Sequence, residues 1–202
     1  FAKRERLDKL VAAFVVLEQK TSEVIPTLGT MIEAVPDGWW YSAVLPNNRL
    51  IVSYFTDSDL LPPKTNQDLS SWESLLSESM YTLKRIETAD FEIDGIPKVV
   101  DAATILTTDL HSPGLLAAGD AMVSFDPLSS HGMTTALWSG RKAAMGILGL
   151  IKDDGAPLRA YLQQLEEGVE RYLKQKISMY GMVQRFEDQH FWERRTTESG
   201  IR

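Results

Sequence analysis

A chain of 202 residues with 44% hydrophobic and 24% charged side chains is long enough to bury one large core or two small ones. Its formal charge of -7, with no basic block, argues against binding a nucleic-acid backbone, which depends on clustered Lys and Arg. With no cysteine it has no disulfide and no cysteine-ligated zinc or iron–sulfur centre.

Leu10 to Leu17 is apolar throughout and rich in valine, a run that by pattern alone suits a buried strand or a helix. Thr30 to Val35, with Met31, Ile32 and Val35, leads into the turn signal Pro36-Asp37-Gly38, and Trp39 to Leu45 follows at once, which predicts a hairpin. Pro46-Asn47-Asn48 predicts another turn and Leu50 to Thr56 a third strand, rich in β-branched and aromatic residues. Three successive antiparallel strands make a meander with one face to be covered. Pro62-Pro63 ends that region. Asp68 or Ser70 is placed to cap one helix in which Leu69, Trp72, Leu75, Leu76, Met80 and Leu83 recur at helical spacing as a packing face.

After a polar stretch from Glu87 to Pro97, Val99 to Leu106 reads as one further strand. The apolar run Leu115-Leu116-Ala117-Ala118 then precedes Gly119-Asp120-Ala121, Asp126-Pro127-Leu128 and Gly132. That order reads as strand, acid-bearing turn, kinked loop and helix. Met133 to Ile151 is apolar nearly all round, with Gly140, Ala143 and Ala144 allowing close backbone approach, so this helix is expected to be buried. Its longest apolar run falls well short of the ~20 residues that span a bilayer. No stretch reads as a signal peptide, and a soluble, cytoplasmic protein is expected. Asp154 and Pro157 mark the next helix, with Leu158, Tyr161, Leu162, Leu165, Val169, Tyr172 and Leu173 as its stripe. Gln184 to Arg195 predicts a last, more exposed helix.

The chemistry concentrates between Gly119 and Met133. Gly119 lets a ligand approach the backbone, and Asp120 offers an acceptor to sugar-like hydroxyls. The helix opening at Gly132 offers unpaired N–H groups and a dipole end that favours negative charge by roughly 0.3–2 kcal/mol. His131, the only histidine in this loop, is able to donate a hydrogen bond or move a proton, or simply to cap the helix. His111 and His190 lie outside it, and three scattered histidines without H-x-x-x-H spacing make no metal site. Ser129, Ser130, His131 and Asp126 are too close in sequence for a hydrolase triad, and there is no G-x-S-x-G elbow. Alternation along the second strand puts Trp39 and Tyr41 on one face and Trp40 on the other. Such aromatic walls suit a planar aromatic substrate, each stacked pair adding about 0.5–1.5 kcal/mol, and serve equally as core.

The ordered set from Gly119 to Ala144 resembles the second FAD-contacting segment of the flavoprotein monooxygenases with the p-hydroxybenzoate hydroxylase fold, nearest their flavin-dependent halogenase branch. Asp37 to Asp57 is similar to the substrate-domain sheet of the halogenase-like members. The resemblance selects the strand reading for Leu10 to Leu17. It implies a mixed α/β fold: an antiparallel substrate-type sheet in residues 1–110, the returning strand-loop-helix unit of an FAD-binding domain in 111–155, and C-terminal helices in 156–202. It also implies that FAD is held by Gly119, Asp120, Asp126, Pro127, Ser130, Gly132 and Met133, with His131 as the candidate catalytic group and Trp39 and Tyr41 facing the substrate.

The implied reaction is oxygenation of an aromatic or electron-rich substrate through a peroxyflavin, with electrons from NAD(P)H or a partner flavin reductase. The substrate is a small aromatic molecule or an aromatic side chain on a carrier or protein. Two departures turn the reading from tryptophan halogenation toward hydroxylation. Trp39 to Pro46 does not fit the W-x-W-x-I-P motif, and Ser129 stands where tryptophan halogenases place a glutamate. A phenol or pyrrole halogenase and a non-catalytic apolar-ligand domain remain the alternatives. The sequence contains no G-x-G-x-x-G loop and begins at Phe1 rather than Met, so a fragment lacking an N-terminal FAD-binding segment is expected.

Overall fold

The computed structural model of the chain describes residues 3–21, 26–93, 95–108, 110–112 and 115–196. Strand β1 (Arg4–Arg6) is followed by β2 (Leu10–Gln19), β3 (Met31–Val35), β4 (Gly38–Leu45) and β5 (Arg49–Asp57), then by helices α1 (Leu69–Ser77) and α2 (Tyr81–Thr88). Strands β6 (Phe91–Ile93), β7 (Lys98–Asp101), β8 (Ile105–Thr107), β9 (His111–Ser112), β10 (Leu115–Leu116) and β11 (Val123–Ser124) lead to α3 (Gly132–Ile151), α4 (Ala156–Tyr180) and α5 (His190–Thr196). All strand pairs are antiparallel, and the fold is the mixed α/β arrangement expected. The chain forms two compact units. One is Lys9–Asp101 with Val183–Glu193; the other gathers residues 3–8, 102–182 and 194–196 of those described.

The first unit is built on a sheet ordered β3-β4-β5-β2-β6, with β7 also paired to β2. The meander forms where the turn residues predict it, and β2 is a strand. At the first hairpin Gly38 is obligatory, because a Cβ there would lie 2.1 Å from the Phe55 carbonyl oxygen of the facing strand. Trp39 and Trp40 take opposite faces, as alternation requires. Trp40 packs with Tyr54 and meets Trp72 of α1 edge-on, both at 4.9 Å between ring centroids. Ala13, Val15, Leu17, Leu50 and Val52 complete the core under the helices.

Three expectations are corrected in this unit. The single helix from Asp68 to Leu83 is two helices, and Met80 is 67% exposed between them rather than part of a packing face. Asp68 caps α1, accepting from Ser70 N at 2.9 Å. The restart has a separate cause: the buried Glu33 carboxylate of β3 accepts from the N–H groups of Met80, Tyr81 and Thr82 and from the Thr82 hydroxyl, at 2.7–3.0 Å. Val99 to Leu106 is likewise two strands, β7 on β2 and β8 on β1 and β11, in different sheets. The predicted exposed helix from Gln184 to Arg195 reduces to a 3-10 turn at Gln184–Phe186 and the short α5. There Phe191 and Trp192 are buried, and Trp192 Nε1 donates to Val35 O at 2.9 Å.

In the second unit β1, β8 and β11 form a small sheet and β9 pairs with β10. Met122, Val123, Ala143, Leu158, Tyr161 and Leu165 form its core with α3 and α4. Asp154 and Pro157 open α4 as predicted, the Asp154 carboxylate accepting from Ala156 N at 2.9 Å. Helix α3 departs from the buried helix expected: Met133 is 83% and Leu137 79% exposed, and Leu148 and Ile151 are exposed too. Only its small residues, Ser139, Ala143, Gly146 and Gly149, are buried. Among the described residues no helix is long and apolar enough to cross a membrane.

Candidate functional site

The Gly119 to Met133 segment folds by a chain of local caps. Gly119 has φ +59°, a left-handed conformation that favours glycine, and its N–H donates to Ser139 Oγ of α3 at 2.8 Å. This opens a 3-10 turn, Gly119–Ala121, with the Asp120 side chain exposed. After β11, Asp126 caps a second 3-10 turn, Pro127–Ser129, by accepting from Leu128 N at 3.0 Å. Ser130 then takes a left-handed conformation, φ +56°, that swings the chain into α3. His131 sits at the helix N-cap without a side-chain cap, so the first backbone N–H groups of α3 lack intrahelical partners.

These turns converge on a cavity of about 340 Å³. Asp120, Asp126, Pro127, Ser130, His131, Gly132 and Met133 all line it, with Ser124 and Phe125. Gly119 stands just outside as the hinge that aims Asp120. An exposed carboxylate, a serine hydroxyl and a helix opening suit a ligand rich in hydroxyls and acceptor atoms. Among the described residues there is no group of three or more His, Cys, Asp or Glu placed to hold a metal ion.

Asp126 differs from the other predicted residues. It is 1% exposed, and its carboxylate accepts from Tyr180 Oη at 2.8 Å and lies 3.7 Å from Lys176 Nζ. Lys176 also donates to Asp8 and to Thr104 Oγ1, while the Asp126 N–H donates to Tyr172 Oη at 2.9 Å. Burial pushes the Asp126 carboxyl up, against the pull of Lys176 and of its hydrogen-bond donors. Burial likewise raises the Tyr172 phenol. Asp126 therefore fixes the loop from inside and has little of its carboxylate left for a ligand.

Sequence reasoning overlooked Asp8, Lys176 and Tyr180. The one signal was spacing: Tyr172, Lys176 and Tyr180 stand four apart and share a helix face. His131 borders the cavity with its Nδ1 buried and unpaired. In the first unit Trp39 is 2% exposed and stacked on Phe55 at 4.0 Å, whereas Tyr41 is half-buried.

No family model matches the chain. It is 29% identical over 172 residues to the "Putative FAD-dependent oxidoreductase LodB" of Marinomonas mediterranea, a match covering 84% of this chain and 45% of that protein. Among solved structures it is similar to CmlS, a flavin-dependent halogenase, with a TM-score of 0.81 at 20% identity, over 96% of this chain and 36% of that one. It is also similar to QhpG, a peptidyl tryptophan dihydroxylase essential for tryptophylquinone cofactor biogenesis. There the TM-score is 0.78 at 22% identity, over 100% of this chain and 46% of the other. The chain thus spans less than half the length of each of these relatives.

Proposed function

We propose that this chain, which has the fold of part of the flavin-dependent halogenases and hydroxylases, is the section of an FAD-dependent oxidoreductase that carries the substrate-type sheet and the second cofactor-contacting loop. The observation that carries this reading is the convergence of Asp120, Ser130 and the open start of α3 on one cavity. These residues fit FAD: Asp120 is placed to accept from hydroxyls of the ribityl chain, and the N–H groups at Gly132 and Met133 suit the flavin's electron-rich edge. When bound, FAD supplies the activation of oxygen. The protein's own residues bind and orient it, exclude water and hold a proton on the His131 imidazole.

The reaction proposed is hydroxylation of an aromatic group, with the half-buried Tyr41 of β4 facing the substrate and Trp39, stacked on Phe55, stiffening the strand beside it. The substrate class is a small aromatic molecule or an aromatic side chain on a carrier or protein. The fold shared with a dihydroxylase of peptidyl tryptophan supports the second form. Electrons come from NAD(P)H or a flavin reductase. The rest of such a protein supplies the pyrophosphate-binding segment, and the exposed Met133, Leu137, Leu148 and Ile151 of α3 offer it a surface. Halogenation of a phenol or pyrrole is the second reading, favoured by the fold shared with CmlS.

The test is Asp120→Ala in the intact protein. Flavin content on purification is expected to fall about tenfold, the equivalent of one charged hydrogen bond, with the fold retained by circular dichroism. Unchanged flavin content and oxygen consumption would remove the anchoring role. Product analysis with and without chloride or bromide separates hydroxylase from halogenase.

A further inference from the structure

We infer that a second cavity, between α3 and α4, binds a small uncharged planar aromatic molecule bearing one hydroxyl or N–H group. It measures about 300 Å³ and is lined by the rings of Phe125, Trp138 and Tyr172, with Gly168 on α4 and His131 at the start of α3. Thr135, Gln164 and Gln175 add polar groups to this lining, and its volume is about twice the ~150 Å³ of a cavity that admits benzene, enough for one ring or two.

Three independent features point to a ligand. The first is the lining. Phe125 meets Tyr172 edge-on at 4.5 Å, and the Tyr172 hydroxyl is already engaged by Thr104 and by the Asp126 N–H, so Tyr172 presents its ring. The second is Gly168. A glycine inside a 25-residue helix costs helix stability relative to alanine, and a Cβ built at Gly168 meets nothing within 4 Å. No packing demand explains the missing side chain, and its absence keeps the cavity open. The third is His131 Nδ1, buried and without a hydrogen-bond partner. A small turn of the imidazole is needed to present that nitrogen, which has no accessible surface, to one hydroxyl or N–H on a bound ring.

Charge sets the class. The only charged residue lining the cavity, Arg171, is exposed and faces Glu167 at 3.9 Å, so no uncompensated charge calls for an ionic ligand. Phe125 and His131 border both this cavity and the one lined by Asp120, so occupancy here bears on the wall of the candidate flavin loop.

Calorimetric titration of the intact protein with phenol, and with toluene as its methyl counterpart, tests the site. Saturable binding is expected, phenol being tighter by roughly five- to tenfold for one hydrogen bond. His131→Phe should bring that ratio to about one. Gly168→Leu should abolish both, without lowering the melting temperature, because leucine is the better helix former. The Trp138 indole N–H resonance should move on adding phenol to the unsubstituted protein. Phenol affinity untouched by Gly168→Leu, or a Trp138 resonance indifferent to phenol, overturns the proposal.

Discussion

Tyr180, the last residue of α4, donates its hydroxyl to Asp126 Oδ2 at 2.8 Å and so ties a long helix to the loop lining the candidate cofactor cavity. Lys176, one turn earlier, balances the same carboxylate at 3.7 Å. The geometry of the candidate binding loop therefore depends on side chains some 50 residues downstream, which no local reading of the loop reveals.

Lys176→Met removes the cation that faces both Asp8 and Asp126 in a part-buried site, at an expected cost of about 3–5 kcal/mol near neutral pH. Burial already holds the Asp126 carboxyl above its ordinary 3.8, and losing the lysine raises it further. An acid whose folded pKa is raised contributes stability that is fully present below its unfolded pKa and is lost as pH rises through the folded one. The deficit of the Met variant should therefore shrink on acidification toward about pH 4. Urea unfolding across that range measures it; a deficit independent of pH contradicts the account.

Glu33 behaves in the opposite sense. Burial works to raise its carboxyl, but the N–H groups of Tyr81, Thr82 and Met80 and the Thr82 hydroxyl together hold it below 4.5. Such a group contributes stability above its unfolded pKa and loses it as pH falls through the folded one. Glu33→Ala orphans these donors and should cost about 2–3 kcal/mol at neutral pH. The difference from the parent should shrink in acid, a comparison that chemical denaturation at two pH values provides.

Gly38→Ala tests the hairpin. The added methyl collides with the Phe55 carbonyl, a backbone atom that yields only if β4 and β5 separate. A loss of about 1–3 kcal/mol is expected from overpacking alone. A melting temperature equal to the parent's would show that the strands part without cost.

Trp72 carries a buried indole N–H with no partner. Trp72→Ala should cost about 3–5 kcal/mol through the cavity it leaves against Trp40. Trp72→Phe keeps most of the ring and removes the unsatisfied donor, so its cost should be less than half as large. Equal losses in the two variants would show that the ring kept by phenylalanine does not fill the space against Trp40.

Much of this was legible because it is local. Turn residues between Val35 and Arg49 mark the meander, and the Gly-Asp and Asp-Pro order marks the loop. The break between α1 and α2 was not legible, since its cap comes from Glu33, 47 residues from Met80. The division of Val99 to Leu106 falls at Ala102-Ala103-Thr104, residues with no strong turn chemistry. Lys176 looks like one more charge on a solvated face, and only the arrival of Asp8 and Asp126 gives it a buried role. The apolar circumference of α3 signals contact on every side, yet its fully buried residues are all small, with the partly buried Trp138 packing beside them on Tyr161.

The second unit is stitched from distant stretches: its first strand pairs with β8, and Asp8 reaches Lys176 across 168 positions. During synthesis that strand emerges long before the helix that neutralises its aspartate exists. Closing so wide a loop carries an entropic toll that slows assembly. The unit bearing the two cavities described above is thus expected to close only after α4 has been synthesised.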